Sequence, residues 1–244
     1  MKVLSIIPAR MGSSRFYGKP LTKINGRCMI DIIYDVSIKS KLISETYIAT
    51  CDKEIINHCN ANNRNVVLTS LKHQRATDRS EEALRKVEKK LKKKFDIILM
   101  IQGDEPMVDV QMLNAAIKAL KKNKKYGVLN LYSKIKEKEE AVSKNIVKVI
   151  INKNKEAIYF SRALIPSDGD TKKDYFKQVC IIPFRRNFLI NFVKMKETFL
   201  EKKESIDMNR ILENNMKVKL QEISKYTHPV DTKSDIKIVE RYLK

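Results

Sequence analysis

Two stretches of this 244-residue chain hold the residue types that chemistry needs. The first is Ala9-Arg10-Met11-Gly12-Ser13-Ser14-Arg15-Phe16-Tyr17-Gly18-Lys19-Pro20-Leu21. Its glycines let backbone amides come close to a phosphate. Arg10, Arg15 and Lys19 supply charge to neutralise a triphosphate, with the Ser13 and Ser14 hydroxyls between them. The spacing fits neither the P-loop nor G-x-G-x-x-G, and a basic surface turn would have the same composition. The second stretch is Gln102-Gly103-Asp104-Glu105-Pro106. A carboxylate at the end of a buried strand can hold Mg²⁺, which takes one or two carboxylates and completes its shell with substrate phosphates. The plainer use of Asp104 and Glu105 is to open a helix around Pro106.

The elements that must position these residues follow from the apolar pattern. Residues 3–8 form an apolar run, read as the buried strand that delivers the basic loop. Residues 96–101, another apolar run, read as a central parallel strand buried on both faces that delivers Asp104. Between them the pattern predicts a helix at 29–38, strands at 46–50 and 65–69, and a helix N-cap at Asp52. Asp78 and Glu81 are placed as a capping box, with Leu84, Val87 and Leu91 on the apolar face of the helix they start. Leu113, Ala116, Ile117 and Leu120 have helical spacing after the second stretch. Strands are then expected at 128–132, 146–151, 157–160 and 179–184, a helix at 206–213, a strand at 217–222 and a helix from Asp235. Residues 167–175 read as a flexible polar loop. Strand–helix alternation predicts an α/β fold, a mostly parallel sheet with helices on both faces, and ligands bind beyond the carboxyl ends of such strands. The less regular part after residue 127 predicts a mixed-sheet extension, and no linker or repeat divides the chain.

Composition narrows the classes. With 43% apolar residues the chain can bury a core. No apolar run approaches a membrane span, and the first residues lack the features of a secretory signal, so a cytoplasmic location without membrane insertion is expected. The four cysteines, Cys28, Cys51, Cys59 and Cys180, form no C-x-x-C and no zinc-finger spacing, and read as reduced, mostly buried thiols. The formal charge is +21, which invites a nucleic-acid partner. Yet the lysines cluster at 89–94, 121–125 and 134–138 without interleaved aromatics, which argues for solvated faces instead. Such charge still speeds encounter with an anionic substrate.

Taken together, short motifs along the chain resemble those of the 3-deoxy-manno-octulosonate (Kdo) cytidylyltransferases. Ile7-Pro8-Ala9-Arg10, Ser14-Arg15 and Gly18-Lys19-Pro20-Leu21 look like the nucleotide-binding signature of sugar-acid cytidylyltransferases, and Gln102-Gly103-Asp104-Glu105-Pro106 is similar to that of the Kdo enzymes. In order follow Thr69-Ser70, His73-Gln74, Thr77-Asp78-Arg79, Asn145 with Val147-Lys148-Val149, Tyr159-Phe160-Ser161-Arg162, and Val230-Asp231-Thr232 with Asp235. The resemblance implies a Rossmann-like nucleotide-diphospho-sugar transferase fold and a homodimer. One domain, 1–244, would have a nucleotide-binding part at 1–126 and a sugar-binding and dimerisation part at 127–244. It implies transfer of CMP from CTP to the anomeric hydroxyl of Kdo, with release of pyrophosphate, for lipopolysaccharide biosynthesis. Asp104 and Asp231 would hold Mg²⁺ and, with Lys19, act in catalysis. Arg10, Ser14, Arg15 and Lys19 would grip the nucleotide. His73, Gln74, Arg79, Gln102, Ser161 and Arg162 would line the sugar and cytosine pockets.

Departures from the family pattern concentrate on the sugar side. Ala49-Thr50-Cys51-Asp52 stands for the family's Ala-Thr-Asp, so Asp52 either substitutes or caps a helix. Ala76 and Pro229 replace glycines. Gln178-Val179-Cys180-Ile181-Ile182-Pro183-Phe184 lacks a histidine and two tyrosines of the family, with Gln178 and Ile182 at sugar-site positions. The same reaction on 8-amino-Kdo or a nonulosonic acid is therefore a rival, and a basic nucleic-acid-binding protein on a former enzyme fold is a rival of another class.

Overall fold

Six buried residues in a row make β1 (Val3–Pro8) a strand with no solvent face. Val3 and Ile7 pack into one apolar cluster, while Leu4 and Ile6 pack into another. A strand whose alternate side chains enter two cores must be covered on both sides. A computed structural model describes residues 1–12, 16–167 and 174–243. In chain order β1 leads through a 3-10 turn at Lys19–Leu21 to a small hairpin, β2 (Lys23–Ile24) and β3 (Arg27–Cys28), and on to α1 (Met29–Lys39). Then come β4 (Glu45–Thr50), α2 (Lys53–Ala61), β5 (Val66–Leu68), α3 (Ala76–Leu91), β6 (Ile97–Ile101) and α4 (Val110–Lys122). The remainder holds β7 (Leu129–Lys134), α5 (Lys138–Val142), β8 (Lys148–Ile151), β9 (Ala157–Ser161), β10 (Phe176–Val179) and β11 (Ile181–Arg185). It ends with α6 (Arg186–Phe192), α7 (Phe199–Glu204), α8 (Met208–Glu213), β12 (Lys219–Glu222) and α9 (Lys233–Tyr242).

The first sheet has the order β11-β6-β1-β4-β5, parallel except for β11. Side chains of α1, α2 and α4 fill the cluster on one face, and those of α3, α6 and α8 fill the cluster on the other. This is the α/β fold expected from the alternating pattern. The irregular part forms a second mixed sheet, β12-β7-β10-β8-β9. An isolated bridge between Val128 and Phe184 joins it to the first.

Three expectations need correction. The run at 179–184 is two strands in two sheets, with the break at Cys180. Pro183 is tolerated because β11 is the edge strand of the first sheet, bridged beyond β6 only at Phe184, so its missing N–H breaks no inner ladder. Asp78 does not cap α3, which already starts at Ala76; Asp78 lies in its first turn, and Glu81 pairs instead with Arg85. Finally, α5, α6 and α7 were not expected, being too short to show a helical period. The loop expected at 167–175 falls largely on 168–173, outside the described residues.

Candidate active site

Beyond the carboxyl ends of β1 and β6 lies a cleft of about 260 Å³. Its floor is Pro8, Ala9 and Gly103, and a Cβ on Gly103 would come within 3.0 Å of the Pro8 carbonyl. A side chain at Gly103 would push the two loops apart, so glycine suits this close passage. The basic loop is closed by the Gly18 N–H, which donates to the Met11 carbonyl at 3.0 Å. Gly18 then takes φ +73, and this left-handed residue turns the chain into the 3-10 turn that presents Lys19. Asp52 occupies the N-cap position of α2 yet makes no cap bond. Its carboxylate instead accepts from the Met11 N–H at 2.7 Å, so it anchors the basic loop. Arg10, Gly12 and Lys19 line the cleft. Ser14 and Arg15 lie outside the described residues.

Asp104 and Asp231 converge although they are far apart in sequence. The Lys19 ammonium lies 2.9 Å from Asp104 Oδ2 and 3.4 Å from Asp231 Oδ1. Burial works against the Lys19 charge, but the two carboxylates outweigh it and raise its pKa. The convergence is built by backbone. The Val230 N–H donates to the Asp104 carbonyl at 2.9 Å, and Asp235 Oδ2 accepts from the Asp231 and Thr232 N–H groups at 2.9 and 2.7 Å. Thr232 and Asp235 form the capping box of α9, so the start of that helix fixes Asp231. Two carboxylates facing one cation position are the hard oxygen donors Mg²⁺ takes, and the pair fits that ion. Glu105 does not join them. It is buried, accepts from the Cys180 N–H at 2.9 Å, and is pushed up to about 7 by burial and then by Asp104.

The residues expected around the sugar and base divide. His73, Gln74, Arg79 and Gln102 all line the cleft. His73 Nε2 meets Glu82 at 2.5 Å, and Arg79 donates to Thr69 Oγ1 at 2.6 Å, which holds the loop before α3 in place. Arg162 lines an adjoining cavity of about 110 Å³ with Asn145, Gln178 and Cys180, and Gln102, Asp104 and Asp231 border this cavity too. Its guanidinium donates to the carbonyls of Glu204 and Lys144 at 2.8 and 3.0 Å. Ser161 is not brought to either cavity: it is buried and donates to Glu204 at 2.7 Å. Ile182 is likewise a core residue of β11 on the first sheet, so the substitution there faces no sugar.

Several groups escaped the sequence reading. Arg75 and Asp207 line the cleft. Asp207 accepts from Thr77 at 2.8 Å, and burial raises its pKa. Arg75 follows the His73-Gln74 motif directly, and Asp207 falls in the stretch read as a helix at 206–213. Behind Asp231 runs a buried polar chain. Lys177 pairs with both Glu140 oxygens at 2.8 and 2.9 Å, and Glu140 meets His228 Nδ1 at 3.1 Å. His228 Nε2 then meets Asp235 Oδ1 at 3.1 Å. Burial opposes the His228 charge, but Asp235 and Glu140 overcome it and push its pKa up to about 9. No local spacing signals the pairings of Glu140 with Lys177 and His228, which lie 37 and 88 positions from it.

Comparison with known proteins places this geometry. The family model described as cytidylyltransferase matches residues 4–218. The 3-deoxy-manno-octulosonate cytidylyltransferase of Fusobacterium nucleatum subsp. nucleatum is 39% identical over 247 residues, covering 100% of this chain and 98% of the relative. The enzyme of that name from Geotalea daltonii is 35% identical, covering 99% and 98%. A solved structure of CMP:2-keto-3-deoxy-manno-octonic acid synthetase complexed with CTP superposes with a TM-score of 0.89 at 31% identity, covering 100% of this chain and 98% of the other.

Proposed function

The chain belongs to the 3-deoxy-manno-octulosonate cytidylyltransferases, and from that premise we propose its reaction and the roles of its residues. It transfers CMP from CTP to the anomeric hydroxyl of Kdo, releases pyrophosphate and yields CMP-Kdo for lipopolysaccharide biosynthesis. The observation that carries the assignment of roles is the meeting of Lys19, Asp104 and Asp231 at the edge of the cleft.

Nucleotidyl transfer demands charge neutralisation and alignment more than covalent chemistry from the protein. Arg10 and Lys19, with Ser14 and Arg15, grip the triphosphate. Asp104 and Asp231 would hold Mg²⁺, which when bound would supply charge to neutralise the phosphates. Lys19, paired here with both carboxylates, would turn its charge to the phosphates were those carboxylates to hold the ion. Gln74, Arg79 and Gln102 lie where the cleft can take the base and sugar, and Arg162 stands at the adjoining cavity, suited to a carboxylate. We place the enzyme in the cytoplasm as a homodimer. Among the described residues, no helix is long and apolar enough to cross a membrane.

The test is pyrophosphate release from CTP, Kdo and Mg²⁺, with an ulosonic-acid panel in parallel. Release with Kdo is expected; none with any ulosonic acid would overturn the reading. A second reading, a modified Kdo such as the 8-amino sugar, is favoured by Gln178 and Cys180 on the adjoining cavity. A kcat/KM higher for the 8-amino sugar than for Kdo would select it.

A further inference from the structure

We propose that Cys28, Asp31 and His58 form a zinc site separate from the nucleotide cleft. Their ligand atoms, one thiol sulfur, one carboxylate oxygen and one imidazole nitrogen, lie within 4.8 Å of one another. Among the described residues this is the one trio of His, Cys, Asp and Glu side chains to meet so closely. None of the three lines the cleft or the adjoining cavity.

The fold assembles the trio from two helices and the hairpin end. Cys28 closes β3 and sits at the N-cap of α1, and Asp31 stands in the first turn of the same helix. Three positions apart, the two side chains share one helix face. His58 comes from the last turn of α2. All three are half-buried, so an ion can enter and a water can remain. The spacing of these residues is not that of a zinc finger, because the third ligand arrives from another helix through tertiary packing.

Chemistry selects the ion. A thiolate with an imidazole disfavours Mg²⁺ and Ca²⁺ and suits Zn²⁺, and three protein ligands plus one water complete its tetrahedron. The neighbours are arranged for this. Arg64 Nε holds Asp31 Oδ1 at 3.3 Å, which leaves Oδ2 aimed at His58 Nε2, 2.8 Å away. Ligand atoms around tetrahedral zinc stand about 3.4–3.6 Å apart. Side-chain shifts on the order of 1 Å would reach this from the present spacing. The site would also reach the nucleotide loop indirectly. Cys28 now donates to the Leu21 carbonyl at 3.4 Å, at the end of the turn that carries Lys19. Zinc there would tie α1 and α2 to that turn.

Cobalt reports on such a site directly, because a thiolate ligand adds a charge-transfer band in the near ultraviolet. Purified full-length protein, reduced and metal-free, should develop this band on titration with Co²⁺, saturate at one equivalent, and lose it on adding Zn²⁺. Cys28→Ser should abolish the band. His58→Asn should weaken zinc, measured against a chromogenic chelator, about 100-fold, while Asp104→Asn should leave the band intact. Circular dichroism of each variant tests folding. No band in the native protein, or a band that survives Cys28→Ser, would overturn the proposal. Loss of the band in Asp104→Asn would move the ion to the cleft and overturn it equally.

Discussion

In the first sheet β6 is buried along its whole length by apolar side chains, and the buried polar side chains of the strands themselves are the hydroxyls of Ser5, Thr46 and Thr50, the first two meeting through Ser37 of α1. The second sheet buries whole charges. Lys148 is 0% exposed and donates to three carbonyls, of Ser143, Ile146 and Arg162, each at 2.7 Å. Lys177 is 1% exposed and sits on Glu140. One sheet is thus held by non-directional burial and carries its chemistry in loops. The other is held by partners that must be present and correctly protonated. Charge buried within the strands of one sheet, and absent from those of the other, separates the two halves.

The comparison breaks most sharply at Lys177. Lys177→Met takes from buried Glu140 its closest cation, leaving only His228 and the Tyr226 hydroxyl on that carboxylate, and should cost up to about 3–5 kcal/mol in a urea melt. Adding Glu140→Leu should return part of that loss, because the second change removes the stranded charge. Leu99→Ala in the first sheet should cost roughly 2–5 kcal/mol with no such rescue available. Simple additivity of the two replacements in the second sheet would remove the distinction.

Next in size is a change on the loops of the first sheet. Asp104→Asn keeps shape but removes charge, and should lower kcat by about 10²–10³-fold, the scale of losing one electrostatic contact in a transition state. The melting temperature should hardly move, since the residue is partly exposed and no core is touched. Native turnover in this variant would overturn the proposed role of Asp104 in holding a metal ion.

A pH titration sharpens the contrast with a smaller effect. His228 has its pKa raised from 6.5 to about 9, so its contribution is fully present below pH 6.5 and is lost as the pH rises through 9. On the acid side, burial opposes the Asp235 charge, but His228 and the backbone bonds draw its pKa from 3.8 down to about 2, so its contribution fades only below pH 3.8. The melting temperature should therefore fall by several degrees between pH 6.5 and 9, and this slope should flatten in His228→Gln. An equal slope in both proteins would locate the pH dependence elsewhere. Smallest is Asp52→Ala, which frees the Met11 N–H and should raise KM for CTP about tenfold through the loss of one charged hydrogen bond, roughly 1.5 kcal/mol. An unchanged KM would show that the loop holds without it.

The same contrast explains what could be read beforehand. Continuous apolar runs such as 97–101 announce a strand buried on both faces, and the loops beyond such strands announce a ligand site. Asp104 and Lys19 were legible on those grounds, and Asp231 through its motif. The break at Cys180 was not, since an apolar run carries no mark of which sheet each half will join. Nor were Glu140, Lys177 and His228, because a buried ion pair is written in no local period. Ser161 was misplaced because a motif gives order along the chain, not the direction of a side chain, and Glu204 claims its hydroxyl.

The return of β11 to pair with β6 reaches beyond the active site. Any cut between α4 and β7 would separate two fragments, each carrying strands that belong to a sheet shared with the other. The first would expose the unpaired edge of β6, a surface that seeks a strand. Its natural complement would be the second fragment. The topology makes the molecule a candidate for split-protein reassembly, in which two inactive pieces recover a cleft only when β11 finds its edge.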